Sequence, residues 1–239
     1  MNINFALAFA ALAFGAANTT YASLVLLDQS PFSGAGLGAV NTILTVTSPG
    51  SSTTESGCVA FGNVVGSGAC FGGVTPGGNE MTGTSQTQTR TIAQSGATSA
   101  SNFAIVLNAV EPGGNSITVD SLAVRFYSTT GTTLYTASLA APVTIANTLT
   151  GIGNAGFVFV LDSAQAAAAQ AAGAFGNTAN VIGLSASLSA ATGGPETFFV
   201  GNLGSGGGGV GNPIPEPTTY ITLGAGLLAI STLRKRMVG

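Results

Sequence analysis

Four carboxylates, Glu111, Asp120, Asp162 and Glu196, are the side chains in this 239-residue sequence from which a hydrolytic site could be built. A pair of them flanking a glycosidic bond could act as proton donor and as base or nucleophile. None lies in a recognisable catalytic motif. Asp162 precedes an alanine-rich run and has Gln165 three residues on, the pattern of a helix N-cap. Glu196 follows Pro195 and reads as a turn residue, and Glu111 opens the turn Glu111–Asn115. Asp120 is the carboxylate best placed to face a Ca²⁺ ion, because a strand bulge expected beside it would re-aim the side chain. Ca²⁺ takes six or more oxygens, however, and the chain is poor in carboxylates. Neither a metal nor another cofactor is therefore expected. Histidine is absent, which removes Ser–His and Cys–His nucleophile pairs and imidazole metal sites. The expectation is a protein without catalytic residues.

The two cysteines, Cys58 and Cys70, sit at either end of a glycine-rich stretch that can turn back on itself. An even number of cysteines in an exported chain reads as a disulfide. Two thiols with no histidine nearby are too few ligands for a metal site. Gly151, Gly153 and Gly156 match GxGxxG, but they precede a strand instead of opening a helix, so a turn is expected there and not a nucleotide site. Tryptophan is absent, and Tyr127 and Tyr135 are the residues left that could stack on a sugar.

The elements that must position these groups are short and turn-punctuated. Strands are expected at 23–28, 39–47, 84–92, 103–110, 116–128, 132–137, 157–161, 181–189 and 197–200. In Phe103–Val110 both alternating faces are apolar, so both are expected to be covered. In Ser116–Ser128, Ile117 and Val119 fall out of phase with Leu122, Val124 and Phe126, which places a bulge near Asp120 and Ser121. The stretch Gly50–Gly83 shows no clear period. One helix is expected, from the Asp162 cap to about Gly173. The fold class is all-β: a jelly-roll-like β-sandwich with one short alanine-rich helix, preceded by a signal peptide and followed by a transmembrane helix.

Both ends differ from this body. Phe5 to Ala17 is an apolar stretch of signal-peptide length, and cleavage is expected after Ala22, with Ala17 the second choice. Met1–Asn4 carries neither Lys nor Arg, which is unusual for such a segment. The domain division is thus a signal peptide at 1–22, a body at 23–203, a Gly/Ser-rich linker at 204–212 and a C-terminal segment at 213–239. Between the ends lie seven acids against Arg90 and Arg125, a net charge of −5. No basic patch exists, and nucleic acid is not an expected partner. The C-terminal segment places Pro215, Glu216 and Pro217 before an uncharged run, Thr218 to Leu233, that Arg234, Lys235 and Arg236 close. Proline holds its own φ and disfavours helix in the residue before it, so Ile214 and Glu216 should be extended. As a helix the uncharged run would be roughly 24 Å long. Tyr220 and the basic cluster can reach the interfaces, and the positive-inside tendency keeps the cluster cytoplasmic.

This order of parts resembles the PEP-CTERM sorting signal of Gram-negative bacteria. The resemblance covers about the last tenth of the chain. It implies recognition by an exosortase, a membrane-embedded cysteine transpeptidase-like enzyme that cuts near the motif, with transient anchoring in the inner membrane. The product would pass to the cell surface or extracellular matrix, in company with exopolysaccharide. Residues 103–202 also resemble a body type recurring among PEP-CTERM proteins, one with no assigned activity. The expected role is a non-catalytic surface or matrix protein. A carbohydrate- or ligand-binding module is the alternative, and a polysaccharide hydrolase the third reading.

Overall fold

A computed structural model of the chain describes residues 23–27, 41–48, 50–74, 78–83, 85–109, 111–112, 115–146 and 156–203. The signal peptide, the linker 204–212 and the whole C-terminal segment, with Pro215–Pro217 and Arg234–Arg236, lie outside these residues, as does Gly151–Ala155. Among the described residues no helix is long and apolar enough to cross a membrane.

The strands are β1 (Leu24–Leu26), β2 (Asn41–Val46), β3 (Thr54–Ala60), β4 (Val64–Val65), β5 (Arg90–Thr91), β6 (Phe103–Asn108), β7 (Ile117–Tyr127), β8 (Thr133–Ser138), β9 (Val143–Ile145), β10 (Gly156–Leu161), β11 (Val181–Ser189) and β12 (Glu196–Asn202). Two helices join them, α1 (Ile92–Ser95) and α2 (Ser163–Ala171). One antiparallel sheet runs β1-β10-β6-β12-β2; the other runs β4-β3-β11-β7-β8, with β5 also on β11 and β9 on β7. The pairing is nested: β2 with β12, β3 with β11, β6 with β10, and β7 with β8.

Alternation along each strand builds the core between the sheets. Phe103, Ile105 and Leu107 of β6 meet Val124 and Phe126 of β7 and Leu184 of β11 in one cluster that extends from Leu24 to Val200. The opposite face of β6 is covered too, as expected. Ala104 and Val106 join Val158, Val160 and Phe199 in a second cluster, with Leu27 and Leu203 against it. The bulge is also present. Ser187 of β11 pairs with Ser121 and Leu188 pairs with Val119, leaving Asp120 as the extra residue of β7.

Two expectations fail locally. Of the strand expected over 84–92, only Arg90–Thr91 pairs as a strand; Ile92 instead opens α1. Thr91 Oγ1 accepts from the Gln94 N–H, and Gln94 Oε1 accepts from the Thr91 N–H, a capping box that outcompetes the strand ladder. In the aperiodic stretch, β3 is a full seven-residue strand. Gly57 and Cys58 at its centre hide the alternation. A Cβ on Gly57 would lie 2.7 Å from both the Glu80 Cγ and the Val46 Cγ1, so only glycine fits where the two sheets meet.

The β2 edge of the five-stranded sheet is covered, and the β1 edge carries one bridge. At the β2 edge, the Thr47 N–H donates to the Asn79 carbonyl and the Met81 N–H to the Thr45 carbonyl. The Asn79 N–H reaches the Ser56 carbonyl of β3, so this short segment ties one sheet to the other. At the other edge, Leu24 forms a bridge with Leu139 just past β8. The covered β2 edge offers no continuous backbone row to a second chain.

Candidate functional site

The side chains singled out from the sequence fall into separate places, and most are occupied structurally. On the outward face of the seven-stranded sheet, small side chains make room for the loop that follows β3. Cys58, Ala69, Phe71, Val74 and Ala123 form a third apolar cluster there. The loop is held by the Cys58–Cys70 disulfide, with Cα atoms 5.0 Å apart. Gly72, at φ +68°, passes so close over β7 that a Cβ would stand 2.3 Å from the Ala123 Cβ. Arg125 lies over the Phe71 ring at 4.2 Å from its centroid, and its Nε donates to Thr136 Oγ1 at 2.9 Å. Arg125 therefore serves as a clamp on the loop.

Glu80 completes this region. Its Oε1 accepts from the Cys58 N–H at 2.7 Å and from the Gly66 N–H at 3.2 Å. Among the described residues, Cys58, Cys70 and Glu80 are the one group of three His, Cys, Asp or Glu ligand atoms within metal-binding reach of one another. The two sulfurs are bonded to each other, so this form presents no thiolate pair to a metal. The carboxylate takes up two edge N–H groups that β4 is too short to reach. Removing the crosslink with a Cys58→Ser/Cys70→Ser double variant should lower stability by about 3 kcal/mol, as loop-closure entropy predicts. In thermal unfolding that corresponds to a midpoint lower by about 6–12 °C; an unchanged midpoint would rule out the staple.

Three of the four candidate acids accept hydrogen bonds from neighbouring groups, and the fourth, Glu196, is buried. Glu111 opens the expected turn, in which the Asn115 N–H donates to the Pro112 carbonyl, but its side chain is fully buried: the carboxylate accepts from the Thr192 N–H at 2.9 Å and the Thr192 hydroxyl at 2.6 Å. Glu196, also expected in a turn, is fully buried as the first residue of β12, paired in register with Val46. In both cases a neighbouring proline marks a turn in the sequence, while the acid itself points inward. Asp120 accepts from the Ser189 hydroxyl at 2.9 Å. None of the three belongs to a described group with metal-ligand geometry. Asp162 is the N-cap of α2: Oδ1 accepts from the Gln165 N–H at 2.7 Å, and Oδ2 from the Ser23 N–H at 2.6 Å.

The two tyrosines lie on opposite faces of one sheet. Tyr127 shares the outward face with Arg125, is buried, and packs on Phe61 with ring centroids 5.9 Å apart. Its ring also lies over Gly183, where a Cβ would come within 3.1 Å. Tyr135 pairs with Phe126 and leans on the main core. A shared stacking platform is therefore not formed. Burial, and secondarily the Asp162 charge, hold the Tyr135 hydroxyl above the usual phenol range. A raised folded pKa favours the neutral form in the native state. Its stabilisation is present below about pH 10, the unfolded value, and is lost as pH rises through the folded one. Tyr135→Phe should flatten the alkaline limb of a stability–pH curve above pH ~10; an unaltered limb would assign that loss to another group.

Sequence reasoning missed one concavity. A cleft of about 430 Å³ lies between α2 and the turn at 99–102, lined by Ser99, Ser101, Ser163 and Gln170 over a floor of Leu161 and Ala166. Gln170 Oε1 accepts from the Ala100 N–H at 3.2 Å, which ties α2 to the turn across the cleft. The lining has hydroxyls and an amide but neither aromatic rings nor titratable groups. Isolated serines carry no sequence pattern that would have marked it. No protein-family model, curated protein or solved structure matches this chain.

Proposed function

We propose that this chain is a non-catalytic exported protein of the cell surface or extracellular matrix. An exosortase would recognise Pro215-Glu216-Pro217 while Thr218–Leu233 holds the chain in the inner membrane, and the released body would associate with exopolysaccharide or other matrix components. The observation that carries this reading is the order of the C-terminal parts: a stiff proline-spaced glutamate, an uncharged run and a basic stop. The body is compatible with that use. Its disulfide suits an oxidising compartment, and the β2 edge of the five-stranded sheet is covered. The acids Glu80, Glu111, Asp120 and Asp162 are committed to backbone or hydroxyl donors, which favours a passive scaffold over hydrolysis. The nested strand pairing supports a jelly-roll-like winding of the sandwich. Fractionation of cells with and without an exosortase-type protease tests the reading. Surface release should depend on the protease; release that continues without it would refute the sorting route.

A binding module is the second reading, and the neutral cleft beside α2 favours it. Hydroxyls and an amide above an apolar floor suit an uncharged polyhydroxylated ligand better than an ion. Binding to a glycan array that survives Ser163→Ala together with Gln170→Ala would remove the cleft from consideration.

A further inference from the structure

The described chain begins at Ser23, and its first polar contact involves an atom whose chemistry changes on maturation. The Ser23 nitrogen donates to Asp162 Oδ2 at 2.6 Å, and the Ser23 carbonyl accepts from the Asp162 N–H at 3.4 Å. One residue on, Leu24 is buried and in register with Leu161 of β10. β1 is only three residues long; it pairs with β10 and is bridged to Leu139, and the Ser23–Asp162 contact adds a tie to the start of α2. The two oxygens of Asp162 are divided between partners, Oδ1 on the cap of α2 and Oδ2 on Ser23.

Hydrolysis of the Ala22–Ser23 bond adds hydroxyl to the Ala22 carbonyl carbon and hydrogen to the Ser23 nitrogen. At neutral pH that amine takes a further proton and becomes an ammonium. The charge thus arises on the atom that already faces the carboxylate. No other described cation serves Asp162: Arg90 Nε donates to the Thr42 carbonyl, and Arg125 is held on Phe71 and Thr136. Tyr135 of β8 is the titratable group that senses Asp162 from the packed neighbours, and it is neutral below about pH 10. We propose that Ser23 is the mature amino terminus and that its α-ammonium docks on Asp162, so that removal of residues 1–22 converts an amide hydrogen bond into an ion pair joining β1 to the start of α2. The proposal rests on the export reading, through the cleavage position, and is independent of events at the C-terminus.

The precursor keeps the hydrogen bond without the charge, and the processed body gains the charge where it folds. Pairing raises the folded pKa of the amine above its unfolded value. The stabilisation is then complete below about pH 7.7–8.0 and fades as pH rises through the folded value. Asp162→Asn keeps the helix cap through its one oxygen and removes the charge, but it also sets an amide NH₂ where Oδ2 accepts from Ser23, so the pH dependence of the difference, not its size, reads the ion pair.

The sequence supplies a convenient reporter, since Lys235 is its one lysine. The full chain would be exported by a Gram-negative host, purified, and its amino terminus determined by intact mass. Reductive ¹³C-methylation then labels the α-amine without removing its charge. We expect a terminus at Ser23 and an N-terminal resonance titrating about one pH unit or more above the same resonance in Asp162→Asn. The variant should also melt about 2–4 °C lower at pH 7, with the gap closing above pH ~10 as the amine loses its proton. A terminus at Asn18 would overturn the proposal and move the cleavage to its second position. Retention of residues 1–22 would fail the export reading itself. A terminus at Ser23 whose amine titrates alike in both proteins would overturn the ion pair and leave export intact.

Discussion

Phe126→Ala is expected to lower the stability of the body by about 3–5 kcal/mol, the range for emptying a buried aromatic site. Phe126 is fully buried in the middle of the main core. Its ring lies 5.2 Å from Phe103 at a near-perpendicular 72°, and 5.1 Å from Phe175. Phe103 and Phe175 are 5.8 Å apart, which closes a three-ring cluster. One ring comes from each sheet and the third from the segment after α2, so the cluster joins the helix to both layers. Truncation removes the buried area together with one edge-type and one tilted ring contact, and rigid strands on both sides resist collapse into the space. The midpoint of thermal unfolding should fall by about 6–20 °C. As a control, Thr118→Ala, on a partly exposed rung facing Thr144, should stay within about 0.5 kcal/mol of the parent. Equal losses from the two variants would mean that the core does not carry the stability assigned to it.

The second large effect is all-or-none. Changing Pro215, Glu216 and Pro217 together to alanine should leave the chain uncut in the inner membrane. On the sorting reading, the two prolines would hold Glu216 extended and outside the helix expected after it. Three alanines would allow the expected helix to extend back through that point and withdraw the backbone from a protease. Thr218–Leu233 and Arg234–Arg236 are untouched by the change, so insertion should be normal and only processing lost. Membrane fractionation with an antibody to the body would report this. Wild-type levels of the surface form from the triple variant would show that the motif is not read.

How far the sequence could be read depended on whether one local interaction dominated. The apolar run Phe103–Leu107 and the phase break at Asp120 are local consequences of strand geometry, and both appear where they were expected. Asp162 likewise carries its helix signal within four residues. By contrast β3 is set by distant partners. Gly57 is there for Glu80 and Val46, and Cys58 for Cys70, and none of these packs against it in sequence. The alternating Thr and Gln of 84–92 satisfied strand propensity, but one capping box between Thr91 and Gln94 was enough to divert the chain. The acids misled for a related reason. Glu111 and Glu196 were both read as turn residues, whereas the Glu111 side chain turns inward to Thr192, eighty-one residues away, and Glu196 is buried as the first residue of β12. Tyr127 and Tyr135 looked like one platform because they are close in sequence. The register shift between Phe126 and Tyr127 in the β7–β8 pair places them on opposite faces.

The central claim, that the body leaves the membrane by a cut at its proline-flanked glutamate, is tested most directly by intact mass spectrometry of the protein recovered from surface material. The account predicts a chain that begins at Ser23, contains the Cys58–Cys70 crosslink, and ends close to Pro215–Pro217 without Thr218–Gly239. A surface form whose mass still includes the basic stop and the terminal Met-Val-Gly would contradict it.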